Sequence, residues 1–186
     1  MGKAIAICAA VAAAAVLSAC SSTYTPKPGE PVARLRVVTS PEPKYATDGH
    51  WASWLAVNDL STCPAPSTPV ISSGVITMQN AQRLGMPSPA DSSKLSAEFT
   101  LPAGRPLALS FGLGEGSWHC QVDLRFTPLT GRDYEVQYAK SADKKMCVTS
   151  LFEMKASSAG VQRVRAPGVA RSDNERRCDA GRPAKS

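Results

Sequence analysis

The sequence predicts an all-β fold, an antiparallel β-sandwich of about 7–8 strands, with a small closed barrel as the alternative. Three observations predict it. Several stretches alternate apolar and polar residues with a period of two, and short segments rich in Gly, Pro, Ser and Asp separate them. No stretch beyond the first twenty residues carries the 3.6-residue periodicity of a long helix.

The elements follow in order. Residues 32–39 read as a first strand, with Leu35 and Val37 on one face and Arg34, Arg36 and Val38 on the other. From Ser40 to Pro69 the pattern is broken by prolines at 41, 43, 64, 66 and 69, and within this stretch residues 50–57 read as a strand rather than one to two turns of helix. Residues 70–78 form the next strand. Residues 94–101 place Leu95, Ala97, Phe99 and Leu101 on one face, and 106–112 repeat this with Leu107, Leu109 and Phe111. Residues 118–126 alternate most strictly: Trp118, Cys120, Val122, Leu124 and Phe126 against His119, Gln121, Asp123 and Arg125. Such strict alternation marks a strand with one face buried and one wet. Tyr134, Val136 and Tyr138 continue the pattern, then Met146, Val148, Phe152 and Met154, then residues 161–165. The connections at 102–105, 129–133 and 141–144 are short enough to predict antiparallel hairpins. Residues 167–186 read as a flexible basic tail tied down only through Cys178.

The N-terminus has its own logic. Lys3 is a short positive region, and residues 4–17 are an unbroken apolar run of 14, too short for a bilayer core that needs about 20. The run ends in Leu17-Ser18-Ala19-Cys20, which resembles the lipobox of bacterial lipoproteins. That resemblance implies a signal peptide over 1–19 and a mature chain starting at Cys20, carrying a diacylglycerol and an N-acyl chain such as palmitate. Two or more acyl chains anchor stably. Ser21 and Ser22 follow in place of the aspartate that retains many such proteins at the inner membrane. The resemblance therefore implies the outer membrane, on its periplasmic face. An ordinary secretory signal with Cys20 left as a free thiol is the alternative.

Residues 20–31, with three prolines, read as a polar tether, and 32–166 as the sandwich domain. Loss of residues 1–19 leaves 167 residues and, Lys3 being the leader's one charge, a net charge of +5 in place of +6. One domain of this size buries about 70% of its unfolded surface and does not depend on staples to fold. The modest positive charge permits attraction to anionic lipid or glycan. No basic stripe with interleaved aromatics argues for nucleic acid.

Setting aside Cys8 and Cys20, four cysteines remain: Cys63, Cys120, Cys147 and Cys178. An even count in an oxidising compartment predicts two disulfides, with three connectivities open. Pairing Cys63 with Cys120 and Cys147 with Cys178 would pin the proline-rich loop and the tail. No closely spaced cysteine pair supports a zinc or redox site, so no metal or cofactor is expected.

Arg-Leu-Gly-Met-Pro (83–87), Phe-Thr-Leu-Pro-Ala-Gly-Arg-Pro (99–106), Cys120, Arg-Phe-Thr-Pro-Leu-Thr-Gly-Arg-Asp-Tyr-Glu-Val (125–136) and Cys147 together look like a group of uncharacterised proteobacterial β-sandwich lipoproteins. The resemblance covers about 70–154 and implies fold and location, with no activity to carry over.

The patterns that resemble catalytic motifs have plainer readings. Gly112-Leu113-Gly114-Glu115-Gly116 superficially matches a phosphate cradle, but a strand follows it and Glu115 would repel an anion, which predicts a hairpin loop. Ser141-Ala142-Asp143-Lys144 matches Ser-x-x-Lys but lies in a predicted loop and lacks the partner motif. The two histidines, His50 and His119, have no nucleophile elbow to serve. The expected function is therefore non-enzymatic: an envelope lipoprotein acting as an interaction or assembly module for a protein partner. The alternative is a module that binds glycan or peptidoglycan fragments, or inhibits a glycosidase, through His50, Trp51 and Trp54, since an exposed indole suits a sugar ring or a protein hot spot. Plugging one end of the sandwich is the plainer role for both tryptophans. A third reading is an unusual hydrolase using His50, His119, Ser117 or Ser141.

Overall fold

The computed structural model describes residues 23–40, 51–62, 68–73, 82–88, 96–115, 118–140 and 146–171. These contain ten strands and no helix: β1 (Val32–Ser40), β2 (Trp51–Asp59), β3 (Ile71–Ser73), β4 (Ser96–Pro102), β5 (Leu107–Glu115), β6 (Trp118–Phe126), β7 (Asp133–Lys140), β8 (Cys147–Ser157), β9 (Gly160–Arg165) and β10 (Ala170–Arg171). They make two five-stranded sheets, a first ordered β4-β1-β7-β8-β9 and a second ordered β10-β6-β5-β2-β3. The arrangement is a sandwich, not a closed barrel. Two short strands, β3 and β10, raise the total above the expected seven or eight.

Alternation builds the core as expected. Leu35 and Val37 of β1, Ala97, Phe99 and Leu101 of β4, and Tyr134, Val136 and Tyr138 of β7 turn inward from the first sheet. Leu55 and Val57 of β2, Leu107, Leu109 and Phe111 of β5, and Leu124 and Phe126 of β6 meet them from the second. Phe126 packs edge-on against Tyr134 at 5.2 Å between ring centroids. The Tyr134 hydroxyl accepts a hydrogen bond from the Leu129 amide at 3.0 Å, closing the turn between β6 and β7.

Five expectations need correction. First, the connections at 102–105 and 129–133 are not hairpins. Each carries the chain from one sheet to the other, β4 to β5 and β6 to β7. Gly104 and Gly131 adopt positive φ of 74° and 71°, where a Cβ would be strained, and so permit these sharp crossings. The Gly104 amide bonds the Pro128 carbonyl at 2.8 Å, tying the two crossings together. The third connection does join hairpin partners, since β7 pairs antiparallel with β8, although residues 141–145 themselves lie outside the described residues.

Second, the sheets are not wholly antiparallel. β1 pairs parallel with β7, from Arg34 opposite Asp133 to Ser40 opposite Ala139. β2 to β6 lie between these strands in sequence, which supplies the long crossover that parallel pairing requires.

Third, the apolar face expected for β8 is its outer one. Met146 is 64% exposed and Val148 45%, while Leu151 is buried in the core. The inner parity runs through Cys147, Thr149 and Leu151, opposite Lys140, Tyr138 and Val136.

Fourth, the expected tether does not hang free over residues 23–31. Tyr24 packs against the core cluster, and the Ala103 amide bonds the Pro31 carbonyl at 2.9 Å. Glu30 accepts from the Lys27 amide at 3.0 Å and from Arg105 at 3.1 Å, and Arg105 also pairs with Asp59. Burial, then the neighbouring Glu30 carboxylate, push the Tyr24 phenol up to about 12. This segment covers the rim between β3 and β4, leaving a cleft of about 210 Å³ lined by Tyr24, Ile71, Gln82 and Phe99. That is below the 300–1,000 Å³ usual for small-molecule sites.

Fifth, the tail expected beyond 167 begins in order. After Gly168 turns with φ 67°, Ala170 and Arg171 pair with Arg125 and Leu124 of β6.

Candidate interaction surface

A sandwich has four edge strands, and an unprotected edge is a template for pairing with another chain. Among the described residues three of the four are short or covered. β3 has three residues and β10 two. β4 is covered on its outer side, where its Glu98 amide bonds the Gln82 carbonyl at 2.9 Å. β9 is six residues long, mostly exposed, and pairs only with β8 among the described residues.

The register of β9 decides which backbone groups it offers. The Ala166 amide bonds the Leu151 carbonyl at 3.0 Å, continuing the pairing of Arg165 with Phe152 and Val164 with Glu153. Antiparallel pairs alternate between hydrogen-bonded and non-hydrogen-bonded. Val164 and Gln162 therefore bond to β8, while the backbone groups of Val161, Arg163 and Arg165 point away from it. By the same alternation Arg163 and Arg165 share the outer face with Met154 and Phe152, and Val164, 40% exposed, lies on the opposite face. The strand carries two arginines and no acid.

The outer face of the first sheet looks at first like chemistry. Arg36, Glu98 and Glu135 are 1%, 2% and 0% exposed. Arg36 donates through Nε and NH2 to Glu98 Oε1 at 3.1 and 2.8 Å and through NH1 to Glu135 Oε2 at 3.3 Å. Its remaining donors reach the Pro87 and Met86 carbonyls at 3.1 and 2.8 Å. The other Glu98 oxygen accepts from the Leu84 and Met86 amides, and Glu135 Oε1 from Gln137 at 2.9 Å and Arg163 at 2.6 Å. Burial alone would raise the Glu98 carboxyl, but its bonds from Arg36, Leu84 and Met86 outweigh this and hold it below the usual range. Arg34 grips Asp133 with two bonds and donates to the Leu84 carbonyl at 3.2 Å. All five guanidinium donors of Arg36 are used within the protein. This cluster is a clamp that binds the strap of residues 82–88 to the sheet, with no donor of Arg36 left for a ligand.

The outer face of the second sheet holds Trp54, half-buried. Its strand partner is Gly112, which pairs in turn with Gln121. The indole lies across Gly112: a Cβ there would sit 1.8 Å from the indole Nε1. The close approach explains glycine in the middle of a strand, and it corrects the expectation of a loop from Gly112, since β5 runs through Glu115. Gln121 donates to Asp123 at 3.0 Å on the neighbouring strand.

Of the expected binding residues, His50 lies outside the described residues, as do Cys20, Cys63, Cys178, Ser117 and Ser141. Trp51 opens β2 opposite Glu115. His119 is exposed opposite Gly114, as its polar-face position predicts.

The cysteine pairing differs from the expected one: Cys120 is bonded to Cys147. β6 and β8 belong to different sheets and face one another, bringing the two Cα atoms to 6.2 Å, so the bridge staples sheet to sheet. Cys63–Cys120 and Cys147–Cys178 are thereby both ruled out. The Tyr138 hydroxyl sits over the bridge, 2.8 Å from the Cys147 sulfur and 3.1 Å from the Cys120 carbonyl, and burial raises its phenol far above the ordinary value.

Sequence reasoning missed β9 as a site, since edge position is a property of sheet order. Its charge pattern, Val-Gln-Arg-Val-Arg without an acid, was visible. Among the described residues no cluster of His, Cys, Asp or Glu is placed to hold a metal. Compared with known proteins, the chain matches no family model, no curated protein and no solved structure.

Proposed function

We propose that this chain is a non-enzymatic lipoprotein of the bacterial envelope, held at the periplasmic face of the outer membrane through Cys20, whose sandwich binds a protein partner. The observation that carries the binding role is β9, among the described residues the one long edge strand left exposed while the other three are short or covered. Two features support the setting. The lipobox-like Leu17-Ser18-Ala19-Cys20 precedes Tyr24 by only a few residues, and Tyr24 packs into the sandwich. The four residue steps from Cys20 to Tyr24 span at most about 14 Å, so an anchor at Cys20 would hold the β3–β4 rim close to the lipid. The disulfide between sheets also suits an oxidising compartment.

The test has two parts. Cells expressing the full chain with its leader are fed a clickable palmitate analogue, and label is expected on the protein and lost in Cys20→Ser. A photo-crosslinker at Gln162, exposed on β9, should capture one specific envelope protein, and the same group at Gln121 on the opposite sheet should not. No label, or equal capture from both positions, overturns the corresponding half.

A glycan-binding reading rests on the half-buried Trp54 indole beside Gln121 and Asp123. It expects Trp54→Ala to abolish retention on peptidoglycan without unfolding the domain.

A further inference from the structure

We infer that β9 is a docking edge for an extended polypeptide segment of alternating acidic and apolar residues, which joins the first sheet as a sixth strand. This rests on the protein-binding reading above and adds the mode and chemistry of the partner.

The register sets the mode. Val161 and Arg165 turn their backbone groups away from β8, at the spacing an added antiparallel or parallel strand would use. Pro167 and the turn at Gly168 end the edge, so the docked segment is about the length of β9 itself.

The two faces of β9 set the chemistry. On the outer face Arg163 and Arg165 stand two positions apart, and the side chain of Arg163 already reaches Glu135. A partner strand placed beside them would put one side chain next to the exposed Arg165, where an acid is favoured and a base repelled, and another next to Arg163, whose charge Glu135 already meets. On the other face Val164 is 40% exposed, which favours an apolar neighbour at the intervening positions.

The same charges exclude the other occupants. Two copies of β9 paired edge to edge would bring arginine near arginine, while Glu135 is already shared by Arg163 and Arg36. The chain's own residues beyond Arg171 hold more bases than acids, Arg176, Arg177, Arg182 and Lys185 against Asp173, Glu175 and Asp179, and they lack acidic–apolar alternation.

The experiment uses the full chain in detergent micelles and a synthetic peptide of three Glu-Val repeats, with three Lys-Val repeats as control. Amide hydrogen exchange should show new protection at Val161 and Arg165 with the Glu-Val peptide and none with the Lys-Val peptide. Binding should weaken as salt shortens the Debye length from about 30 Å to about 8 Å. Val161→Pro and Arg165→Pro each remove one outward donor without touching the ladder to β8. Each should weaken binding about fivefold, the worth of one hydrogen bond. Arg165→Glu should reverse the peptide preference.

Protection of Val161 and Arg165 before any peptide is added would mean that the chain covers its own edge, and a concentration-dependent dimer protected there would mean a second copy. Either result overturns the proposal. If Gln162 crosslinks a partner in cells while the Glu-Val peptide protects neither amide, the strand-addition mode falls and the binding role stands.

Discussion

Replacing Arg36 by methionine tests whether the buried clamp holds the fold. Methionine keeps much of the side chain's apolar length and removes only the guanidinium. Glu98 and Glu135, 2% and 0% exposed, then lose their shared cation, and the Met86 and Pro87 carbonyls lose their donor. Removing one member of a buried ion pair costs about 3–5 kcal/mol. A domain of this size is stable by only about 5–15 kcal/mol. The loss should carry a pH signature through Glu98. In the native protein the Glu98 carboxyl is held below its ordinary 4.5, so its stabilisation is present above that value and lost as pH falls through the folded one. Without Arg36 the Glu98 carboxyl keeps its bonds from the Leu84 and Met86 amides but loses its foremost lowering partner, so it titrates higher than in the native protein. The variant's deficit should therefore be smallest at pH below the native value and grow as pH rises toward 7. Urea unfolding followed by tryptophan fluorescence, without reductant, at a series of pH values measures it. A deficit under about 1 kcal/mol at pH 7, or one constant across the series, would refute the clamp.

Three further outcomes are expected. Gly112→Ala forces the Trp54 indole off the strand, shifting emission to the red and costing about 1–3 kcal/mol; unchanged emission would count against the contact. Opening the Cys120–Cys147 bridge by serine substitution releases a loop with a sequence separation of 27. That costs about 3.5 kcal/mol on the chain-entropy estimate, seen as a lower urea midpoint that reductant no longer changes. Of the four tyrosines, Tyr24, Tyr134 and Tyr138 should ionise above the ordinary 10.0 in an absorbance titration. Because these phenols are raised in the folded state, their stabilisation is complete below pH 10 and lost as pH climbs past it. Titration of all tyrosines together near 10 would contradict their burial.

The local rules of the chain were legible to different depths. Strict alternation over 118–126 placed β6 at its observed bounds, and the inward sets of β1, β4, β5 and β7 followed from the same period of two. At β8 the rule failed, because Met146, Val148, Phe152 and Met154 form an apolar parity as good as the true inner one. There the disulfide through Cys147 and burial of Leu151 decide which face turns in. Gly112 read as a loop signal because nothing local shows that an indole from another strand lies on it. Tyr24 looked like part of a spacer because proline and polar residues surround it, and only the open rim between β3 and β4 gives its ring a place to pack.

By itself, then, the sequence determined the fold class, most strand positions and the inward residues, since these depend on the period of a strand and on turn chemistry within a few residues. Tertiary structure alone decided which connections cross between sheets, which cysteines meet, why Arg36 can be buried, and which edge is left open. Those outcomes depend on the order of strands in each sheet, and that order is set by burial and pairing between residues up to 99 positions apart, as Arg36 and Glu135 are.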